Sequence, residues 1–118
     1  MKMAHVTIMS KDINGSVEFY QKVLGLNIMM DTRGSDHEIV FLAEEQGDVC
    51  VEICQDENAA FSGSGISMGF PVDDLDAVYK QMEEIGLCPG PVISPNQHVK
   101  FFFVNDPNGV GIQFLQNM

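Results

Sequence analysis

Apolar and polar residues alternate from Met3 to Met9, with Ala4, Val6 and Ile8 on one face and Met3, His5, Thr7 and Met9 on the other, the period of a half-buried strand. The period then lengthens. Val17, Tyr20, Val23 and Leu24 recur at helical spacing, Asp12 or Ser16 stands where an N-cap belongs, and Gly25 sits where helices commonly stop. Three short strand patterns follow, near Asn27 to Thr32, Glu38 to Ala43 and Asp48 to Gln55. The succession then begins again. Ile66 to Val72 reads as a strand, Asp74 to Ile85 as a helix stopped by Gly86, and Val92-Ile93, Val99 to Asn105 and Val110 to Gln116 as three more strands. Asp106-Pro107-Asn108-Gly109 marks a turn before the last strand, and Pro89, Gly90 and Pro91 predict a short sixth strand at a sheet edge.

The second half copies the first. A forward shift of 61 positions lays Gly25 on Gly86, His37 on His98, Phe41 on Phe102, Val49 on Val110, Val51 on Ile112 and Ile53 on Phe114. Lys11-Asp12-Ile13 matches Asp73-Asp74-Leu75 at a shift of 62, which implies one deletion between Asp74 and Gly86. A near-constant shift over such a span is the signature of a duplicated supersecondary unit. The expected fold is α+β, with two tandem βαβββ modules at about 1–60 and 65–118, joined by Phe61-Ser62-Gly63-Ser64-Gly65 within a single domain of 118 residues. A chain of this length buries roughly two thirds of its unfolded surface, enough to build a core.

The repeat singles out four polar residues on otherwise apolar strands. The shifts pair His5 with Ser67 and Glu52 with Gln113. On the fourth strand Val49, Val51 and Ile53 share the face that a helix should cover, so Cys50, Glu52 and Cys54 point the other way. Val110, Ile112 and Phe114 likewise leave Gly111, Gln113 and Leu115 opposite, and Ile66, Met68 and Phe70 leave Ser67 and Gly69 opposite. All four quartet members therefore fall on the helix-free face. If each four-stranded sheet curls with its helix on the convex side, that face lines a cleft, the usual setting of a small-molecule site.

Charge and cysteine usage narrow the classes. With 17 acidic against 6 basic residues and no Lys/Arg cluster, the chain offers nothing to a phosphate backbone, so nucleic acid is excluded as a partner. The scattered acidic residues read first as a solubility device, with attraction of a cationic ligand as the alternative. No stretch approaches the roughly 18 apolar residues of a membrane-spanning helix, and Met1 to His5 runs into a strand pattern instead of a signal peptide, so a cytoplasmic address is expected. Cys50, Cys54 and Cys88 are odd in number, and Cys50 and Cys54 lie four apart on one strand, about 13 Å, too far for a bridge. Reduced thiols are expected.

The first strand with His5, the run Asp12-Ile13-Asn14-Gly15-Ser16-Val17-Glu18-Phe19-Tyr20, Leu24-Gly25-Leu26, Val51-Glu52-Ile53 and Asp106-Pro107-Asn108-Gly109 together resemble the vicinal oxygen chelate superfamily, the group of glyoxalase I, extradiol dioxygenases and bleomycin resistance proteins. The resemblance covers nearly the whole chain. It implies paired βαβββ modules, usually in a homodimer, and a divalent metal such as Zn, Ni, Mn or Fe held by ligands on the first and fourth strands of each module. Those positions fall on His5, Glu52, Ser67 and Gln113. The glyoxalase pattern would place His or Gln on one first strand, His on the other, and Glu on both fourth strands. Here Ser67 and Gln113 replace two of these, and a hydroxyl and an amide oxygen are poorer donors than imidazole and carboxylate.

Each of these residues also has a bland reading. His5 alone would pass for an ordinary histidine bonded to a neighbour, and Ser67 and Gln113 are as well explained as polar lining beside Cys50 and Thr7. Glu52 is harder to dismiss, because an unpaired carboxylate away from water is costly. Cys50 and Cys54 have no base placed beside them by spacing, His37 and His98 stand at strand starts that are commonly exposed, and the phenylalanines 101 to 103 read as core and wall. Two functions remain. One is a metal-assisted lyase, isomerase or oxygenase in which His5, Glu52 and Gln113 hold the metal and Glu52 shuttles a proton. The other is metal-free sequestration of a small molecule. Glutathione-dependent activity fits poorly, because the first strand's inward residues include no arginine and Arg33 is the chain's only one. Met3, Met9, Met29 and Met30 would be left exposed unless a second copy covers them, which predicts a homodimer.

Overall fold

The computed structural model describes residues 1–61 and 65–118, so Ser62, Gly63 and Ser64 of the expected joint lie outside the described residues. The chain divides into two compact units, Met1–Phe61 and Ser62–Met118. The first runs β1 (His5–Ser10), α1 (Ile13–Lys22), β2 (Asn27–Asp31), β3 (Ile39–Ala43) and β4 (Cys50–Gln55). The second runs β5 (Ser67–Pro71), α2 (Leu75–Glu84), β6 (Ile93–Asn96), β7 (Val99–Asn105) and β8 (Gly111–Asn117). Each forms a mixed four-stranded sheet, in the orders β1-β4-β3-β2 and β5-β8-β7-β6. The first and fourth strands of each unit run parallel and the other pairs antiparallel. The fold is thus α+β, built of tandem βαβββ units. No described helix is long and apolar enough to cross a membrane.

Alternation decides which face of each sheet meets its helix. In the first unit Val40, Leu42, Val51 and Ile53 are buried together with Ile13, Val17 and Tyr20 of α1, which packs on β3 and β4. In the second, Phe102, Val104, Ile112 and Phe114 are buried with Leu75 and Met82 of α2, which packs on β7 and β8. Each fully buried side chain of Leu or Ile size contributes on the order of 2 kcal/mol, so these two clusters outweigh any single polar contact. Val49 and Ile66 depart from the expected pattern, at 53% and 60% exposure. Both lie just before their strands, where alternation no longer fixes which face they take.

The two helices begin in the same way. Asp12 caps α1 by accepting from the Gly15 amide, and Asp74 caps α2 by accepting from the Ala77 amide. A glutamine from the last strand of each unit then adds a brace: Gln55 Oε1 accepts from the Ile13 amide and Gln116 Oε1 from the Leu75 amide, both at 2.8 Å. These satisfy amides that a helix start leaves without partners. Gly25 and Gly86, just beyond the helices, take φ of +67° and +88°, the left-handed region that only glycine enters freely. The repeat is not exact inside. Ser10 and Ser16 share a buried 2.7 Å hydrogen bond between their hydroxyls in the first unit, and a shift of 62 replaces both by Val72 and Val78.

One expected correspondence fails. The shift of 61 laid Phe41 on Phe102, yet Phe41 pairs with Glu52 across β3 and β4, whereas the residue pairing with Gln113 is Phe103. Phe103, at a shift of 62, is therefore the counterpart of Phe41, and the buried Phe102 belongs with Val40 and Leu42 on the helix side. A slip of one residue moves every side chain of a strand to the other face, so face parity overrules sequence offset here. The sixth strand is an edge strand as expected, shifted to Ile93–Asn96, and Pro95 is tolerated there because an edge needs no second ladder.

Candidate functional site

The helix-free face of the first sheet carries a row of three register partners, Thr7, Glu52 and Phe41, from β1, β4 and β3. Glu52 is the centre of it. The Thr7 hydroxyl donates to Glu52 Oε1, and His5 Nε2 stands 3.5 Å from the same oxygen. The His5 ring meets Phe41 edge-on, with centroids 5.4 Å apart and planes at 73°, so the imidazole is steered toward Glu52 from one side by aromatic packing. Only 13% of the Glu52 side chain is exposed, against 41% for His5. The carboxylate is thus shielded by its neighbours while the imidazole keeps one side open to a ligand.

Cys54, two residues along β4, completes the surroundings of Glu52. Burial raises its thiol pKa above the ordinary value, and the negative charge of Glu52 and a hydrogen bond to it raise it further. Cys54 is therefore a neutral donor and not a thiolate nucleophile. Cys50 pairs in register with His5, and its thiol reaches the Asp48 carbonyl at 3.5 Å. All three cysteines are free.

The second unit repeats the layout with weaker chemistry. Ser67 pairs with Gly111 and Gln113 with Gly69, so Gly69 occupies the place that Thr7 takes in the first unit. A β-carbon at Gly69 would come within 3.2 Å of Gln113 Oε1, which shows that the Gln113 side chain lies over the glycine. Phe101 and Phe103 stack edge to face beside it at 5.7 Å. Of the sequence-selected residues, the structure brings together His5, Thr7 and Glu52 in one unit, and sets Ser67 and Gln113 on the corresponding face of the other.

A divalent ion of the kind the family pattern implies asks for three or four strong donors. Among the described residues no group of three or more His, Cys, Asp or Glu side chains gathers to hold a metal. His5 and Glu52 supply two good donors, and a hydroxyl and an amide stand at the other two family positions. That donor set does not fit a tightly held ion. The contact of Phe41 with this site escaped the sequence, although strand register could have found it, since Phe41 is directly opposite Glu52; Cys54 stands on the Glu52 face, where alternation along β4 put it.

A family model described as the Glyoxalase/Bleomycin resistance protein/Dioxygenase superfamily matches residues 2–114. A protein of Haemophilus influenzae named lactoylglutathione lyase is 27% identical over 126 residues, covering 99% of this chain and 93% of its own. Among solved structures, a mutant of the fosfomycin resistance protein FosX of Listeria monocytogenes, complexed with Mn(II) and a dihydroxypropylphosphonic acid, has a TM-score of 0.82 at 13% identity, covering 99% of this chain and 92% of that one. TnmS3, an antibiotic binding protein from a Streptomyces species, has a TM-score of 0.80 at 19% identity, covering 100% and 97%.

Proposed function

Because the chain belongs to the glyoxalase, bleomycin resistance protein and dioxygenase superfamily, we propose that it binds a small oxygenated molecule against the helix-free face around Glu52, with a divalent-metal site that is partly degenerate. The observation that carries this reading is the convergence of His5, Thr7 and Cys54 on one shielded carboxylate. In a reaction of lyase or isomerase type, Glu52 takes a proton from the ligand, Thr7 fixes the carboxylate oxygen that does so, and His5 donates toward a developing negative oxygen from its open side. The lactoylglutathione lyase relative supports the same reaction class. A glutathione-like anionic substrate is disfavoured, because the guanidinium of Arg33 is bound to Asp31 at 2.7 Å and also reaches Asn14.

The second reading is capture without chemistry, as the name of TnmS3 describes for that protein. The weak donors at Ser67 and Gln113 favour it. In both readings the protein works as a homodimer that covers Met3 and Met30.

Calorimetry with Zn²⁺ and Ni²⁺ on the wild type, Ser67→His, Gln113→Glu and the double variant tests the degenerate site. The double variant should bind at least about tenfold more tightly than the wild type, with each single change gaining less, since two imidazoles and two carboxylates then stand at the four family positions. Wild-type affinity already equal to that of the double variant, or no gain in it, would overturn the proposal.

A further inference from the structure

The reactive row has a neighbour. One side-chain spacing along the same face of the first sheet, about 7 Å away, Met9, Cys54 and Ile39 form a second row of register partners across β1, β4 and β3. This row is the floor of a cavity of about 310 Å³ whose walls are Ser35, Asp36, His37 and Glu38 of the loop between β2 and β3, with Gln55 at the end of β4. The floor is a thioether, a thiol and a branched alkyl group, and burial beside Glu52 keeps the thiol neutral.

The loop is held in place without help from a ligand. The Ser35 hydroxyl donates to the carbonyls of Thr32 and His37, the Gly34 amide donates to Glu38 Oε1, and the Gln55 amide donates to the Glu38 carbonyl. Glu38 therefore keeps its second oxygen, and no described residue pairs with the carboxylate of Asp36. Arg33, the chain's only guanidinium, is bonded to Asp31, and its charge also acts on Glu38, which leaves Asp36 as the stronger attraction for a cation at the rim. An apolar floor under a preformed rim that carries the Asp36 carboxylate and the second oxygen of Glu38 is complementary to an amphipathic cation, with its hydrocarbon on the floor and its ammonium at the rim.

We propose that this cavity is a binding site for the alkylammonium end of the protein's small-molecule ligand, directed so that the rest of the ligand reaches Glu52. The direction rests on the reading of Glu52 given above; the cavity and its charge do not.

The test is amide-resolved NMR titration of the full ¹⁵N-labelled chain with n-butylammonium, n-butanol and butyrate separately. n-Butylammonium should give saturable shifts at residues 36–39 and 54, n-butanol should bind about fivefold more weakly, the cost of one partly exposed ion pair, and butyrate should not bind. Asp36→Asn with Glu38→Gln, which keeps an acceptor for the Gly34 amide, should reduce ammonium binding to the level of the alcohol. Met9→Lys, on a side chain that is 43% exposed, should abolish it by placing the chain's own ammonium over the floor. Equal binding of all three probes, ammonium binding unaffected by these variants, or no response at 36–39 would overturn the proposal. If ammonium shifts appear at residues 5–7 and 52 alone, the cavity proposal falls while Glu52 stands. Shifts at 36–39 in a protein whose metal titrations contradict the degenerate site leave the cavity standing instead.

Discussion

Glu52 and Cys54 occupy one face of one strand, and the carboxylate acts on the thiol. The thiol is held protonated first by burial and then by the carboxylate two residues away. Thiolate is the species that reacts with alkylating agents, so Cys54 should be modified by iodoacetamide at pH 8 far more slowly than the exposed Cys88. Glu52→Gln removes the negative charge, lowers the Cys54 pKa toward its ordinary value and raises the thiolate fraction at that pH. The rate at Cys54, followed by mass spectrometry of the cysteine-bearing peptides, should therefore rise in the variant while that at Cys88 stays constant. An unchanged or slower Cys54 would show that the carboxylate does not reach the thiol. The quartet itself was legible in the sequence because polar residues on apolar strands stand out against alternation. Cys54 was legible with it, since alternation along the strand puts it on the Glu52 face, but Phe41 was not, because it looks like an ordinary apolar position until register places it opposite Glu52.

At the scale of elements, the helix starts show what periodicity can and cannot predict. Asp12 was readable as one of two cap candidates beside Ser16, and Asp74 as the start of the second helix; the structure makes each aspartate the cap of its helix. Gln55 and Gln116 were not, because they come from strands about forty residues later and no local rule links them to a helix amide. Each brace is one part-buried hydrogen bond, and Gln55 makes a second at 2.7 Å to the Lys11 carbonyl. Gln55→Ala should therefore destabilise the protein by about 1–2 kcal/mol and Gln116→Ala by about 1 kcal/mol, measured by urea denaturation. Substitution of either without effect would show that water replaces the brace at no cost. The ten elements and their order followed from period and punctuation. The register of β3 and β7 did not, because matching phenylalanines at a constant offset gives no weight to which face each must occupy.

At the scale of the whole molecule, Met3, Met30 and Ile66 remain substantially exposed on a chain whose formal net charge is −11. Light scattering should give the mass of a homodimer at micromolar concentration, with dissociation favoured at low salt, where like charge on the two copies is least screened. A monomer at all salt concentrations would contradict the dimer. Duplication has also left the two units with unequal freedom to change. At Gly69 a new β-carbon would press within 3.2 Å of Gln113 Oε1 and 3.3 Å of Leu115 Cδ2, so a threonine matching Thr7 fits only if both side chains give way by a few tenths of an ångström. Re-equipping the second unit is therefore easier when position 113 changes before position 69, since the opposite order passes through the more crowded intermediate. History in this half of the molecule runs more easily in one direction than in the other.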